Sequence, residues 1–208
     1  MKLAGVILAG GLARRMGGGD KTLLTVHGRP LLAHVIERLA PQVACLALNA
    51  NGDPGRFAHF GLPVIADTFT GYAGPLAGVL TGLRWAETQG CTHIISAAGD
   101  TPFFPHDLAA RLVTAAQERT LPLACAATTE AERGLSEHPT FGLWPVALAD
   151  DLEQSLAGGL RKVILWTSRH GCARALFDDA GPYPFFNVNT PDDLAEAGRI
   201  GTRLGIAP

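Results

Sequence analysis

Short apolar runs alternating with longer helical patterns predict an α/β fold of three layers, a mostly parallel sheet with helices on both faces. Composition agrees. Glycine is abundant at 25 of 208 residues and charged residues make up only 17%, which suits a large interior joined by many turns. The chain shows no internal repeat, low-complexity tract or linker, so residues 1–208 read as a single domain. A chain of this length can bury roughly 70% of its unfolded surface in one core.

The elements follow in order. Leu3–Leu8 is an apolar run that reads as a buried strand. Leu31–Leu39 is a helix, because Leu31, Leu32, Val35, Ile36 and Leu39 share one face. Strands are predicted at Val43–Leu48 and Pro63–Ile65, a helix at Leu76–Gln89, and a strand at His93–Ala98. A helix over Pro105–Arg119 follows, with the proline suited to its first turn. Strands at Leu123–Ala127 and Phe141–Trp144 precede helices at Pro145–Leu156 and Leu160–His170. A last strand, Ala173–Phe177, leads to a helix at Pro191–Arg203 capped by Thr190. Trp85, Trp144 and Trp166 fall within apolar patterns and read as core.

The most informative segment is LAGGLARRMGGGDK, Leu8–Lys21, directly after the first strand. Its glycines, Gly10, Gly11, Gly17, Gly18 and Gly19, let the backbone come close to a ligand and aim N–H groups at anionic oxygens. Arg14, Arg15 and Lys21 add positive charge. Over residues 1–36 five basic side chains face one acidic one, a net +4 in a chain whose net charge is −2. This is a place to hold a polyphosphate. It is not a Walker A loop, because Asp20 precedes Lys21 and the glycine spacing fails, and it lacks the G-x-G-x-x-G of dinucleotide folds.

Read with GRPLLAHV (Gly28–Val35), NAN (Asn49–Asn51), VIAD (Val64–Asp67), GPLAG (Gly74–Gly78), GDTPFFP (Gly99–Pro105), HPT (His138–Thr140) and NVNTPDDL (Asn187–Leu194), this loop makes the chain resemble the molybdenum cofactor guanylyltransferases. The motifs run through nearly the whole chain in order. The resemblance implies a nucleotide-diphospho-sugar-transferase-like, Rossmann-like fold. It also implies transfer of GMP from GTP to the terminal phosphate of molybdenum-molybdopterin, with pyrophosphate released. Magnesium is the implied cofactor, GTP and molybdenum-molybdopterin the substrates, and apo-molybdoenzymes or their chaperones the recipients.

Asp100 follows the strand His93–Ala98, where a carboxylate can hold magnesium against substrate phosphates, although the same position suits a turn or a helix cap. The resemblance makes it the nucleotide and metal ligand. The family carries another residue in place of Gly99, a change expected to loosen the turn. By the same resemblance Leu8, Ala9, Gly10, Gly11, Lys21, Asn49, Asp67 and Gly78 bind the nucleotide, and Arg15 and Lys21 neutralise its phosphates. Read on their own, Asn49 and Asp67 also suit turns. Gly78 is expected to let the nucleotide approach closely. Asn187 and Asn189 point the same way if their segment is extended, and in the family they lie near the metal and the acceptor. His138 is placed on the pterin side. Arg161 and Lys162 suit either an anionic pterin phosphate or an exposed helix start.

A phosphomonoester has a second pKa of about 6, so the acceptor is already ionised near neutral pH and needs no general base. The absence of a His–Asp catalytic pair is therefore no objection. Two other readings stay open: a cytidylyltransferase acting on the same pterin, whose relatives carry a shorter AAG-type opening and a proline before the lysine, and a non-catalytic GTP-binding protein that delivers cofactor. A nicotinamide oxidoreductase is disfavoured by the missing glycine fingerprint. Cys45, Cys91, Cys125 and Cys172 form no C-x-x-C pair, so buried reduced thiols are expected. No run approaches the roughly 18 apolar residues needed to cross a bilayer. The N-terminal apolar run leads into a basic loop without a cleavage site, so a secretion signal is not expected. A cytoplasmic protein with neither nucleic-acid nor membrane partners is the resulting expectation.

Overall fold

Strand β1 (Leu3–Leu8) sits inside a seven-stranded sheet, between β4 (Cys45–Asn49) and β6 (His93–Ala98), and runs parallel to both. The computed structural model describes residues 1–10, 20–69, 74–130, 134–178 and 183–206. Beyond β4 lies β5 (Val64–Ile65); beyond β6 lie β8 (Gly134–Pro145), β7 (Leu123–Glu130) and β9 (Cys172–Leu176). β8 alone runs against its neighbours, and the other six strands share one direction. The mostly parallel sheet expected from the alternation of runs is therefore present.

Helices cover both faces. On one, α1 (Leu31–Leu39) and α3 (Leu108–Arg119) bring Leu32, Val35, Leu39, Leu108 and Leu112 onto Ile7, Leu48 and Ile95. On the other, α2 (Pro75–Thr88), α4 (Ala149–Ala157) and α5 (Val163–His170) bury Leu80, Leu83, Leu152 and Trp166 against Val6, Ile94 and Trp144. A third, smaller cluster holds α6 (Pro191–Arg203) through Ala197 and Ile200, against Val26, Leu31, Phe103 and Val188. Among the described residues, no helix is long and apolar enough to cross a membrane.

Several elements depart from expectation for identifiable reasons. β8 begins at Gly134 rather than Phe141, because its first seven residues are exposed or half-buried and give no apolar run. α3 begins at Leu108 and not Pro105: Phe104 enters the first core and Phe103 the third, so the chain must stay irregular until both are seated. A short hairpin, β2 (Thr25–Val26) with β3 (Arg29–Pro30), was not predicted. Its two turn residues, His27 and Gly28, have φ of 50° and 71°, the positive values that a two-residue hairpin loop requires. The cysteines are free, but Cys45 and Cys172 are only half-buried, and Cys45 Sγ lies 3.8 Å from Cys91 Sγ.

Candidate active site

β1, β4, β5 and β6 end at one edge of the sheet, at Leu8, Asn49, Ile65 and Ala98. In open α/β sheets this carboxyl edge is where ligands bind. The start of the glycine-rich loop is fixed there by backbone: Ala9 N–H donates to the Asn49 carbonyl at 2.9 Å, and Gly99 N–H to the Leu8 carbonyl at 3.0 Å. Ala9 is buried, while Gly10 is exposed with open space before its Cα. Gly11, Arg14 and Arg15 lie outside the described residues. A Cβ on Gly99 would stand 2.9 Å from Thr22 Cγ2 and 3.3 Å from the Leu8 carbonyl oxygen, so its small size serves close backbone approach.

Asn49, Asp67 and a third residue, Asn51, form one network at the ends of β4 and β5. Asn49 Nδ2 donates to Asp67 Oδ1 at 2.8 Å and to the Ile65 carbonyl at 3.2 Å. Asn51 Nδ2 donates to Asp67 Oδ2 at 2.8 Å, and Asp67 N–H donates to Asn51 Oδ1 at 2.8 Å. A carboxylate only accepts, so both amide nitrogens must face Asp67. Arg56 extends the chain, donating to the Asn51 carbonyl at 2.6 Å and pairing with Asp20 at 2.8 Å, immediately before Lys21. Gly78 serves this network directly. A Cβ there would lie 2.2 Å from Asn49 Oδ1 and 2.7 Å from Leu8 Cδ2.

Lys21 stands at the second cluster. It is buried, and its ammonium lies 2.5 Å from Asp100 Oδ2, 2.7 Å from Asn189 Oδ1 and 3.5 Å from Asn187 Oδ1. Residues remote in sequence are thus brought around one cation. Asn187 and Asn189 do point the same way, because the intervening Val188 is fully buried in the third core and its N–H bonds the Asp100 carbonyl at 3.0 Å. Asn189 is held in turn by the start of α6. Asp193 accepts from the backbone N–H groups of Asn189 and Thr190, both at 2.8 Å, and the Thr190 hydroxyl accepts from Asp193 N–H at 3.2 Å. This is a reciprocal capping box. The Asn189 N–H, followed by the Thr190 hydroxyl and N–H and by nearby Lys21, holds the Asp193 carboxyl below its usual range despite some desolvation.

A cavity of about 510 Å³ opens beside Asn187, lined by Thr128, His138, Phe177, Asp178, Tyr183 and Phe185 among others. His138 reaches it because of a bulge. The pairing of β7 with β8 jumps from Cys125–Gly142 to Ala126–His138, so Pro139, Thr140 and Phe141 are extra residues on β8. Proline cannot donate to a ladder, and bulges re-aim the side chains beside them. Ser96 closes the gap, donating to the Thr140 carbonyl at 2.8 Å and accepting from Trp144 Nε1 at 2.7 Å. The His138 ring stacks on Phe185 at 4.4 Å, and its Nε2 lies 2.9 Å from the Thr128 hydroxyl.

Arg161 is engaged elsewhere. It donates to the carbonyls of Leu156 in α4 and of Leu160 beyond it, with its guanidinium 5.7 Å from the Phe69 ring, and Lys162 immediately precedes α5. The residues that sequence reasoning did not assign to the site are Asn51, Arg56, Asp193, Thr128 and Phe185. Asn51 sits in the quoted NAN motif and Asp193 in NVNTPDDL, so a signal existed for both. Arg56, Thr128 and Phe185 had none, because only tertiary contact brings them in.

The chemistry of the edge can be stated. Three side-chain oxygens, one of them from a carboxylate, converge on the Lys21 ammonium, and Asn187 also lines the neighbouring cavity. Among the described residues there is no group of three or more His, Cys, Asp or Glu that would make a complete metal cage. Magnesium asks for no such cage, since it takes one or two carboxylates and fills its shell with water and phosphate oxygens.

Known proteins agree with this architecture. Residues 5–171 match the MobA-like NTP transferase domain. The chain is 51% identical over 199 residues to a molybdenum cofactor guanylyltransferase of Bradyrhizobium sp. (strain ORS 278), covering 94% of this chain and 92% of the relative. It is 53% identical over 197 residues to a molybdenum cofactor guanylyltransferase of Cereibacter sphaeroides, covering 95% and 96% respectively. The crystal structure of molybdopterin-guanine dinucleotide biosynthesis protein A from Archaeoglobus fulgidus superposes with a TM-score of 0.74 at 24% identity, covering 98% of this chain and all of that one, and shows the shared fold. With a domain match spanning most of its length and relatives sharing half its residues, the chain belongs to the MobA-like nucleotidyltransferases, in the family of the molybdenum cofactor guanylyltransferases.

Proposed function

We propose that this enzyme transfers GMP from GTP to the terminal phosphate of molybdenum-molybdopterin, giving the guanine dinucleotide form of the cofactor and pyrophosphate. The observation that carries the reading is the meeting of Lys21, Asp100, Asn187 and Asn189 between the glycine-rich loop and the His138 cavity. Relatives half-identical to the chain bear the name of this activity. An ionised phosphate oxygen of the acceptor attacks the α-phosphorus, one P–O bond forms, and the bond to the β-phosphate oxygen breaks with its electron pair leaving on pyrophosphate. No proton has to be removed from the nucleophile near neutral pH. The obstacle is repulsion between anions, so the protein contributes positioning and positive charge.

Lys21 and, in the loop beyond the described residues, Arg15 neutralise the triphosphate, while the backbone of Leu8–Gly11 approaches the nucleotide. Asp67 faces the base. Its two oxygens each accept one amide hydrogen yet keep further lone pairs, and guanine offers the N1–H and N2–H donors that such an acceptor satisfies. A divalent ion, magnesium in this reading, would be held by Asp100 and would stabilise the charge that builds on the leaving pyrophosphate. The Asp100 carboxylate is the kind of oxygen ligand that such an ion takes. The cavity lined by His138 and Phe185 takes the pterin, and the enzyme works in the cytoplasm. Incubation with molybdenum-molybdopterin and each of the four nucleoside triphosphates tests the proposal. Dinucleotide and pyrophosphate should appear with GTP only. Turnover with CTP would reassign the base, and GTP binding without pyrophosphate release would make this a delivery protein.

A further inference from the structure

Among the described residues, the Lys21 ammonium has a partner for each of its donors. It has three N–H donors, and three oxygens receive them: Asp100 Oδ2 at 2.5 Å, Asn189 Oδ1 at 2.7 Å and Asn187 Oδ1 at 3.5 Å. The cradle is tied to the core. Val188 is pinned in the third core, Asn189 N–H is held by Asp193, and Lys21 itself is only 9% exposed. The residue that must meet the triphosphate is therefore the same residue that neutralises the metal-binding carboxylate. Withdrawing the cation leaves a part-buried carboxylate uncompensated, and two cations on one carboxylate repel.

We propose that Lys21 is a built-in counter-cation that blocks Asp100 until nucleotide arrives, so that binding is ordered: triphosphate oxygens draw Lys21 away from Asp100, and only then does the carboxylate accept a divalent ion. Asn187 and Asn189 act as positioning residues that keep Lys21 in the blocking place when the site is empty. The inference rests on the reading of Asp100 as metal ligand. It goes beyond that reading by assigning Lys21 a role before chemistry and by fixing the order of events.

Manganese titration followed by electron paramagnetic resonance reads this without turnover. The proteins are the wild type, Lys21→Met, Lys21→Gln, Asp100→Asn and the Lys21→Met/Asp100→Asn double variant, each checked for fold by circular dichroism. Each is titrated alone and with α,β-methylene-GTP, with the manganese bound by free nucleotide subtracted. Without nucleotide, both Lys21 variants should bind one manganese at least about tenfold more tightly than wild type, the loss of one charge-assisted contact being worth about ten- to a hundredfold. The wild type should gain its site only with the nucleotide analogue. Equal nucleotide-free affinity in wild type and both Lys21 variants overturns the ordered exchange, as does failure of either variant to bind manganese. If the double variant binds as tightly as Lys21→Met, the reading of Asp100 as metal ligand has failed instead, and the two failures are told apart.

Discussion

Asp67, proposed above to face the base, shows how neighbouring amides fix the direction of a single carboxylate. It is only partly buried, and its direction is set by two amides, Asn49 from within the sheet edge and Asn51 from the loop beyond. Asn51 also receives the Asp67 N–H, so it grips both the backbone and the side chain of that residue. Substituting Asn51 by Ala should leave Asp67 attached only to Asn49 and free to rotate. The net value of one such hydrogen bond is about 0.5–1.5 kcal/mol, so preference for GTP over ATP and CTP should narrow by about two- to tenfold. Competition binding with the three nucleotides checks it, and Asp67→Ala should narrow the gap further. Weakening of all three nucleotides alike by Asn51→Ala would mean that Asn51 only supports the loop.

At the scale of elements, two features adjust the frame to the site. α2 packs tightly on the sheet through Gly78 and Gly82, one turn apart; a Cβ on Gly82 would lie 2.7 Å from Val6 Cγ2. Gly78→Ala should therefore push Asn49 or Leu8 out of place. Overpacking of this kind costs about 1–3 kcal/mol, read as a lower midpoint of urea unfolding, together with weaker GTP binding through displaced Asn49. The second feature is the capping box of α6. Asp193 has a folded pKa below its unfolded value, so its contribution to stability is present above the ordinary carboxylate range and is lost as pH falls through the lowered folded value. Acid should therefore loosen Asn189 before the sheet unfolds, and Asp193→Asn should give a shallower fall in stability below about pH 4. Thr190→Ala should cost about 0.5–2 kcal/mol at neutral pH. Thermal melts from pH 3 to pH 7 measure both. These elements also mark how far the sequence can be read. β1, β6, α1 and α6 carry full apolar or capped patterns and were legible residue by residue. The hairpin arm of β7 and β8, with few fully buried residues and no apolar run on its β8 side, and the β2–β3 turn, made by two positive-φ residues, were not.

For the whole molecule, the sheet edge assembles what the sequence keeps apart. Lys21, Asn49, Asp67, Asp100 and Asn189 could each be singled out because each follows an apolar run or lies in a recognisable motif. Their mutual contacts could not be, since those depend on Val188 seating in the third core and on Gly78 admitting Asn49. Because residues from before α1 to the start of α6 close around one site, nucleotide binding should stabilise the entire fold and not one loop. A ligand at a hundred times its dissociation constant adds about 2.7 kcal/mol, and in a chain of this size each kcal/mol moves the melting temperature by about 2–4 °C. Saturating GTP with magnesium should therefore raise Tm by about 5–11 °C, with smaller shifts for ATP, CTP and UTP at the same concentration. The Asp67→Ala variant should lose the difference among nucleotides. Lys21→Ala should lose most of the shift for all of them, since the contact proposed for Lys21 is to phosphates that every nucleotide shares. Equal shifts for all four nucleotides on the wild type would remove Asp67 from base choice.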